Sequence, residues 1–178
     1  TGSRATSREP VTVRLRVLAA RDYRAQTLNW QTRFRLLLSR INRHTEAWPG
    51  VRFEVAETRD WEVDTQERPL GELLRALQAQ DSGEGVDWVV GLAAAVPKVP
   101  ESIHTLGMAP LLSRHFILRS LHDLAEHDLY KQAFDQMSPI ERDTVLSERK
   151  IHKEQVVFLH EWVHSLGGIH AVRADLIM

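Results

Sequence analysis

The sequence predicts an α/β domain built on a mostly parallel sheet. Three observations predict it. Short apolar runs alternate with polar residues near the N-terminus, stripes of helical period separate those runs, and the order strand, helix, strand, helix, strand calls for crossover connections between parallel neighbours. The 178 residues, 43% of them hydrophobic, suffice for one core of this kind.

Residues 1–10 mix Thr, Ser, Gly, Arg and Pro without an apolar period and are expected to form a flexible tail, leaving 11–178 as one domain. Val11, Val13, Leu15 and Val17 alternate with Thr12, Arg14 and Arg16, which predicts a half-buried first strand over 11–19. Leu28, Phe34, Leu37, Leu38 and Ile41 recur at helical spacing, so one long helix is expected over 24–48, stopped by Pro49-Gly50. Val51, Phe53 and Val55 predict a second strand that continues toward Trp61 and Val63. Pro69 opens a helix with the stripe Leu70, Leu73, Leu74, Leu77, and the run 86–90 follows as a third strand. Three prolines make 93–110 a loop that leads into an edge-like stretch over 105–112, and 115–118 reads as one more strand. Ser120 reads as one helix start. Ser138-Pro139 with Glu141 is another, with the cap residue, the first-turn proline and the acid three residues on.

Composition removes several function classes. Lys and Arg number 23 against 24 for Asp and Glu, a formal charge of −1, so no basic field is available for nucleic acid. The chain contains 0 cysteines, which excludes disulfides, thiolate metal sites and a cysteine nucleophile. No apolar run approaches the roughly 20 residues of a membrane span.

The chemistry concentrates near the C-terminus. Residues 155–166 form an apolar helix that carries His160 and His164 at i, i+4. That spacing sets the β-carbons about 5–6 Å apart on one face, within reach of a common ion bonded at about 2.0–2.1 Å. An isolated pair of this kind is more often the polar rim of a buried helix. Here Glu161 stands between the two, at a different angle, able to approach a water rather than fill a ligand position. Gly167 lets the chain turn sharply, and His170 returns three residues later as a third imidazole. The string 160–170 satisfies H-E-x-x-H-x-x-G-x-x-H at every specified position, which happens by chance in about 1 in 10,000 shuffles of this composition.

This string resembles the metzincin clan of zinc endopeptidases. The resemblance implies His160, His164 and His170 as ligands of one catalytic Zn²⁺, Glu161 as general base, and Met178 as the methionine of the turn beneath the metal, at the His-to-Met spacing of matrixins. It implies a twisted mixed sheet, mostly parallel with one antiparallel edge strand, a long backing helix and an active-site helix after the last strand. An extended peptide or protein substrate would lie along the edge strand, which places Gly107, Met108 and Ala109 as substrate contacts. Export is the usual setting of such enzymes, so a secreted or extracytoplasmic location is expected. The chain departs from the clan in lacking a cysteine-switch segment, an Asp-rich calcium loop and an archaemetzincin-type cysteine cluster, and in carrying an added helical stretch over 121–148. Because clan members continue beyond the methionine turn, the domain is expected to be truncated there, which motivates the alternative of a non-catalytic, zinc-stabilised peptide-binding module.

Other polar clusters read as structure. His122, Asp123, Glu126 and His127 form a solvated helix face, as do Arg21, Arg24, Arg33, Arg35, Arg40 and Arg43, and Trp162 is expected to pack in the core.

Overall fold

The computed structural model describes residues 9–96, 106–121, 131, 132 and 134–170. Its elements in chain order are β1 (Val11–Ala20), α1 (Arg21–Gln26), α2 (Trp30–Thr45), β2 (Val51–Trp61), α3 (Leu70–Gln80), β3 (Trp88–Ala93), β4 (Gly107–Met108), β5 (His115–Arg119) and α4 (Pro139–Ser165). The five strands make one sheet in the order β2-β1-β3-β5-β4. β2, β1, β3 and β5 run parallel, and β4 pairs antiparallel with β5 through Gly107 with Leu118 and Met108 with Ile117. The expected mixed sheet with an antiparallel edge is therefore present.

Alternation across β5 sorts the helices into layers. Phe116 reaches Phe158 of α4, ring centroids 5.4 Å apart, and Phe34 of α2 meets the same ring at 6.3 Å. Ile117, the next residue, shares the other face with Leu77 of α3, since a Cβ on Gly91 would lie 3.1 Å from the one and 3.0 Å from the other. So α2 and α4 cover one face and α3 the opposite face. β1 lies between two strands and is buried without a break from Leu15 to Ala20. Buried Arg16 on that strand is matched by acids: Nε donates to Glu57 at 2.6 Å, Nη1 to Asp81 at 2.8 Å, and Nη2 to the Glu84 carbonyl at 2.9 Å.

Several boundaries differ from the expectation. The single helix over 24–48 is two helices, because the chain turns extended at Thr27, φ −124° and ψ 91°, and Asn29 at φ +52° then caps the second. Leu28, assigned to the buried stripe, is 85% exposed at that break. The third strand starts later and runs further than 86–90. Asp87 is held at the entry by exchanging hydrogen bonds with the Arg14 backbone at 2.7 and 2.9 Å, and Gly91, Leu92 and Ala93 continue the ladder. β2 ends at Trp61, short of Val63. The edge strand is two residues rather than a stretch over 105–112. Pro110 lacks the N–H a ladder needs, and Leu111 and Leu112 form a turn with Leu112 at φ +56°. The helix start at Ser138 is present, with Ser138 and Glu141 capping each other reciprocally. From there α4 runs unbroken for 27 residues, about 40 Å, to the end of the histidine pair. Ser120 donates its N–H to the Ala93 carbonyl at 2.9 Å, while the helix expected to follow it, the His122 to His127 cluster and Met178 lie outside the described residues. No described helix is long and apolar enough to cross a membrane.

Candidate metal centre

The last turns of α4 carry the site because their buried stripe is strongly apolar. Val157, Phe158, Glu161, Trp162 and Ser165 are buried, and they press the helix onto the sheet. Trp162 packs edge-on against Phe53 at 4.9 Å and against Trp88 at 6.1 Å, as its packing role predicts. The Trp88 indole N–H donates to Ser165 Oγ at 2.8 Å, and that hydroxyl donates on to the Trp162 carbonyl at 2.6 Å. These contacts fix the rotation of α4 about its axis. His160 and His164 then fall beside the buried stripe, half-exposed.

The chain after α4 returns the third imidazole. Gly167 at φ +98° donates to the His164 carbonyl at 2.8 Å, and Gly168 donates to the Val163 carbonyl at 2.9 Å. This is the paired bonding of a Schellman helix end, which reverses the chain so that His170 faces back toward the helix. The three Nε2 atoms converge: His160 to His164 is 3.0 Å, His164 to His170 is 3.1 Å, and His170 to His160 is 3.2 Å. The rings of His160 and His164 stand at 88° to one another, as do those of His164 and His170. Each ring thus presents a nitrogen to a common point rather than stacking its face on both neighbours.

The donor set fits a small divalent ion. Tetrahedral bonds of about 2.0–2.1 Å to imidazole nitrogen imply nitrogens about 3.3 Å apart, close to the observed triangle. His164 Nδ1 lies 2.7 Å from the Gly168 carbonyl oxygen. A carbonyl only accepts, so Nδ1 carries the proton and, in the neutral ring, Nε2 keeps the lone pair that a metal requires. His160, His164 and His170 form a group of potential ligand atoms within 4.8 Å of one another among the described residues.

Glu161 differs from its neighbours in being nearly enclosed, 3% exposed on the buried stripe. Burial pushes its carboxyl up to about 7, opposed by a hydrogen bond from the backbone N–H of Ala109. Its chain lies against β4: a Cβ on Gly107 would fall 2.6 Å from Glu161 Cγ. The structure therefore brings the predicted edge residues and the predicted acid together. Gly107 is buried and leaves room for the carboxylate, Ala109 donates to it, and Met108 is 37% exposed with Sδ 3.7 Å from where a Cβ on Gly71 would stand. Sequence reasoning missed the Gly107 spacing and the Gly168 carbonyl. The available signal was that Gly107 is a glycine within an edge strand and that Gly168 follows the glycine of the motif.

No family model matches the sequence, and no curated protein matches it. Among solved structures, the chain is similar to archaemetzincin from Methanopyrus kandleri, with a TM-score of 0.52 and 16% identity over 94% of this chain and 78% of that one. That likeness establishes a shared fold. A second match, to the structure of Aa-Ago with externally bound siRNA, has a TM-score of 0.32 and 17% identity over 50% of this chain and 12% of that one, too low for a shared fold.

Proposed function

We propose, from the archaemetzincin-like fold and the histidine triad together, that this chain is a zinc-dependent peptidase acting on extended polypeptides. The observation behind this reading is the triangle of His160, His164 and His170 nitrogens, 3.0 to 3.2 Å on a side, with Glu161, the residue after His160, buried on the same helix. When bound there, zinc supplies Lewis-acid polarisation of a carbonyl and a more acidic water, three protein ligands leaving it an open position. Glu161 moves the proton: its carboxylate accepts one from the attacking water and returns it to the departing amine nitrogen. Ala109, the residue after the edge strand, holds that carboxylate through its N–H. Among the described residues β4 ends the sheet, so an extended peptide can add beside Met108 as a further strand and be bound through its backbone.

The test separates the roles. Glu161→Gln is expected to keep one zinc per chain while losing turnover of a quenched peptide by about 10² or more, and His164→Ala to lose both. An active Glu161→Gln protein would reject the proton-transfer role. The place of β4 at the end of the sheet among the described residues supports a second reading, peptide capture without hydrolysis. Tight peptide binding that yields no new N-termini selects it.

A further inference from the structure

We infer that Gly168, at a position the histidine motif leaves unspecified, orients His164 and thereby sets the affinity of the site for its metal; this rests on the metal-centre reading above. A Cβ at residue 168 would lie 2.4 Å from Val163 Cγ1, 2.9 Å from the Val163 carbonyl oxygen and 3.3 Å from its carbonyl carbon. Two of those three atoms are backbone of α4, two residues before its end at Ser165, so they cannot swing aside as a long side chain could. The ordinary Schellman end places an apolar side chain at this position, packed back against the helix. Here the turn sits too low on Val163 for any side chain, with the Gly168 N–H bonded to the Val163 carbonyl at 2.9 Å.

The close approach has a directional result. It brings the Gly168 carbonyl to 2.7 Å from His164 Nδ1. That bond fixes both the tautomer and the ring plane of His164, whose Nε2 stands 3.0 Å from His160 Nε2 and 3.1 Å from His170 Nε2. His164 is the vertex from which both perpendicular ring pairs are built, at 4.5 Å and 4.6 Å between centroids. A side chain at 168 lifts the turn, withdraws the carbonyl and lets the His164 ring rotate. Partners of this kind are typically worth about 10- to 100-fold in metal affinity.

The experiment is zinc binding by the full chain, measured by competition with a chromogenic chelator. Gly168→Ala is expected to bind zinc about 10- to 100-fold more weakly, and its cobalt-loaded form to show shifted visible bands. Val163→Ala removes the 2.4 Å contact, so the Val163→Ala, Gly168→Ala double variant is expected to recover part of the loss, while Val163→Ala alone binds like the unsubstituted chain. Nitrogen-15 spectra of the unsubstituted chain are expected to show His164 protonated at Nδ1. Undiminished zinc affinity in Gly168→Ala, a double variant no better than the single one, or a His164 protonated at Nε2 instead overturns the inference, as does an unsubstituted chain that takes up no zinc. Cleavage is not part of the readout. A chain that holds zinc in this way but cuts no peptide defeats the peptidase reading and leaves this one standing.

Discussion

Glu161 occupies the space that any side chain on Gly107 would need: a Cβ there would fall 2.6 Å from Glu161 Cγ, 2.7 Å from Oε1 and 2.8 Å from Cδ. A helix residue and an edge-strand residue are thus fitted to each other, and the hydrogen bond from Ala109 closes the same contact two residues on.

Gly107→Ala is expected to displace the carboxylate by roughly an ångström, which for a reacting group can cost about 10²-fold in turnover. The three histidines stand on α4 and the turn after it, so zinc content is expected to stay at that of the parent. Steady-state kinetics with parallel metal analysis checks this. A variant with parental kcat shows that Glu161 needs no room at Gly107.

Asp81 is the anchor of the Arg16 guanidinium, at 2.8 Å with side-chain exposures of 3% and 10%. It also accepts from Arg59 at 3.0 Å and from the Gly83 N–H at 2.8 Å. Asp81→Ala leaves a cation buried beneath the sheet with much of its compensation gone. The expected loss is about 3–5 kcal/mol, read as a lowered denaturant midpoint. A loss under about 1 kcal/mol would show that Glu57 and the Glu84 carbonyl suffice.

The start of α4 is expected to respond to acid. Hydrogen bonds from the Ser138 hydroxyl and backbone N–H hold the Glu141 carboxyl below its ordinary value of 4.5. The folded value is depressed, so the cap's contribution is present above the ordinary value and disappears as pH falls through the folded one. Hydrogen exchange of the first turn of α4 is expected to be faster in Glu141→Ala than in the parent at pH 7. Once the pH has fallen through that depressed folded value, the two should converge. A difference that persists unchanged into acid would exclude the ionised carboxylate as its source.

The fold was legible where periodicity was unambiguous. Val13, Leu15 and Val17 announce β1, and Leu70, Leu73, Leu74 and Leu77, all buried, announce α3. It was illegible where one residue overrides a pattern. Asn29 enters the left-handed region, which Asn tolerates better than most residues, yet neither Gly nor Pro marks the break between α1 and α2. β3 lost its edges because a strand covered on both faces reads as one apolar run, with no alternation to mark its register. In the site, the spacing of His160, Glu161, His164 and His170 was visible in the sequence. The parts that set their geometry were not, because the Ala109 N–H and the Gly168 carbonyl are backbone groups that any residue type supplies.

Whether the three converging imidazoles hold a metal used for hydrolysis is decided by mass spectrometry of an unfolded polypeptide incubated with the metal-loaded chain. The expected result is one zinc per chain and new N-termini that appear with the zinc-loaded protein, vanish after chelation and return when zinc is restored. Full zinc occupancy with an uncut substrate, or cutting that persists in a chelated, metal-free protein, would contradict it.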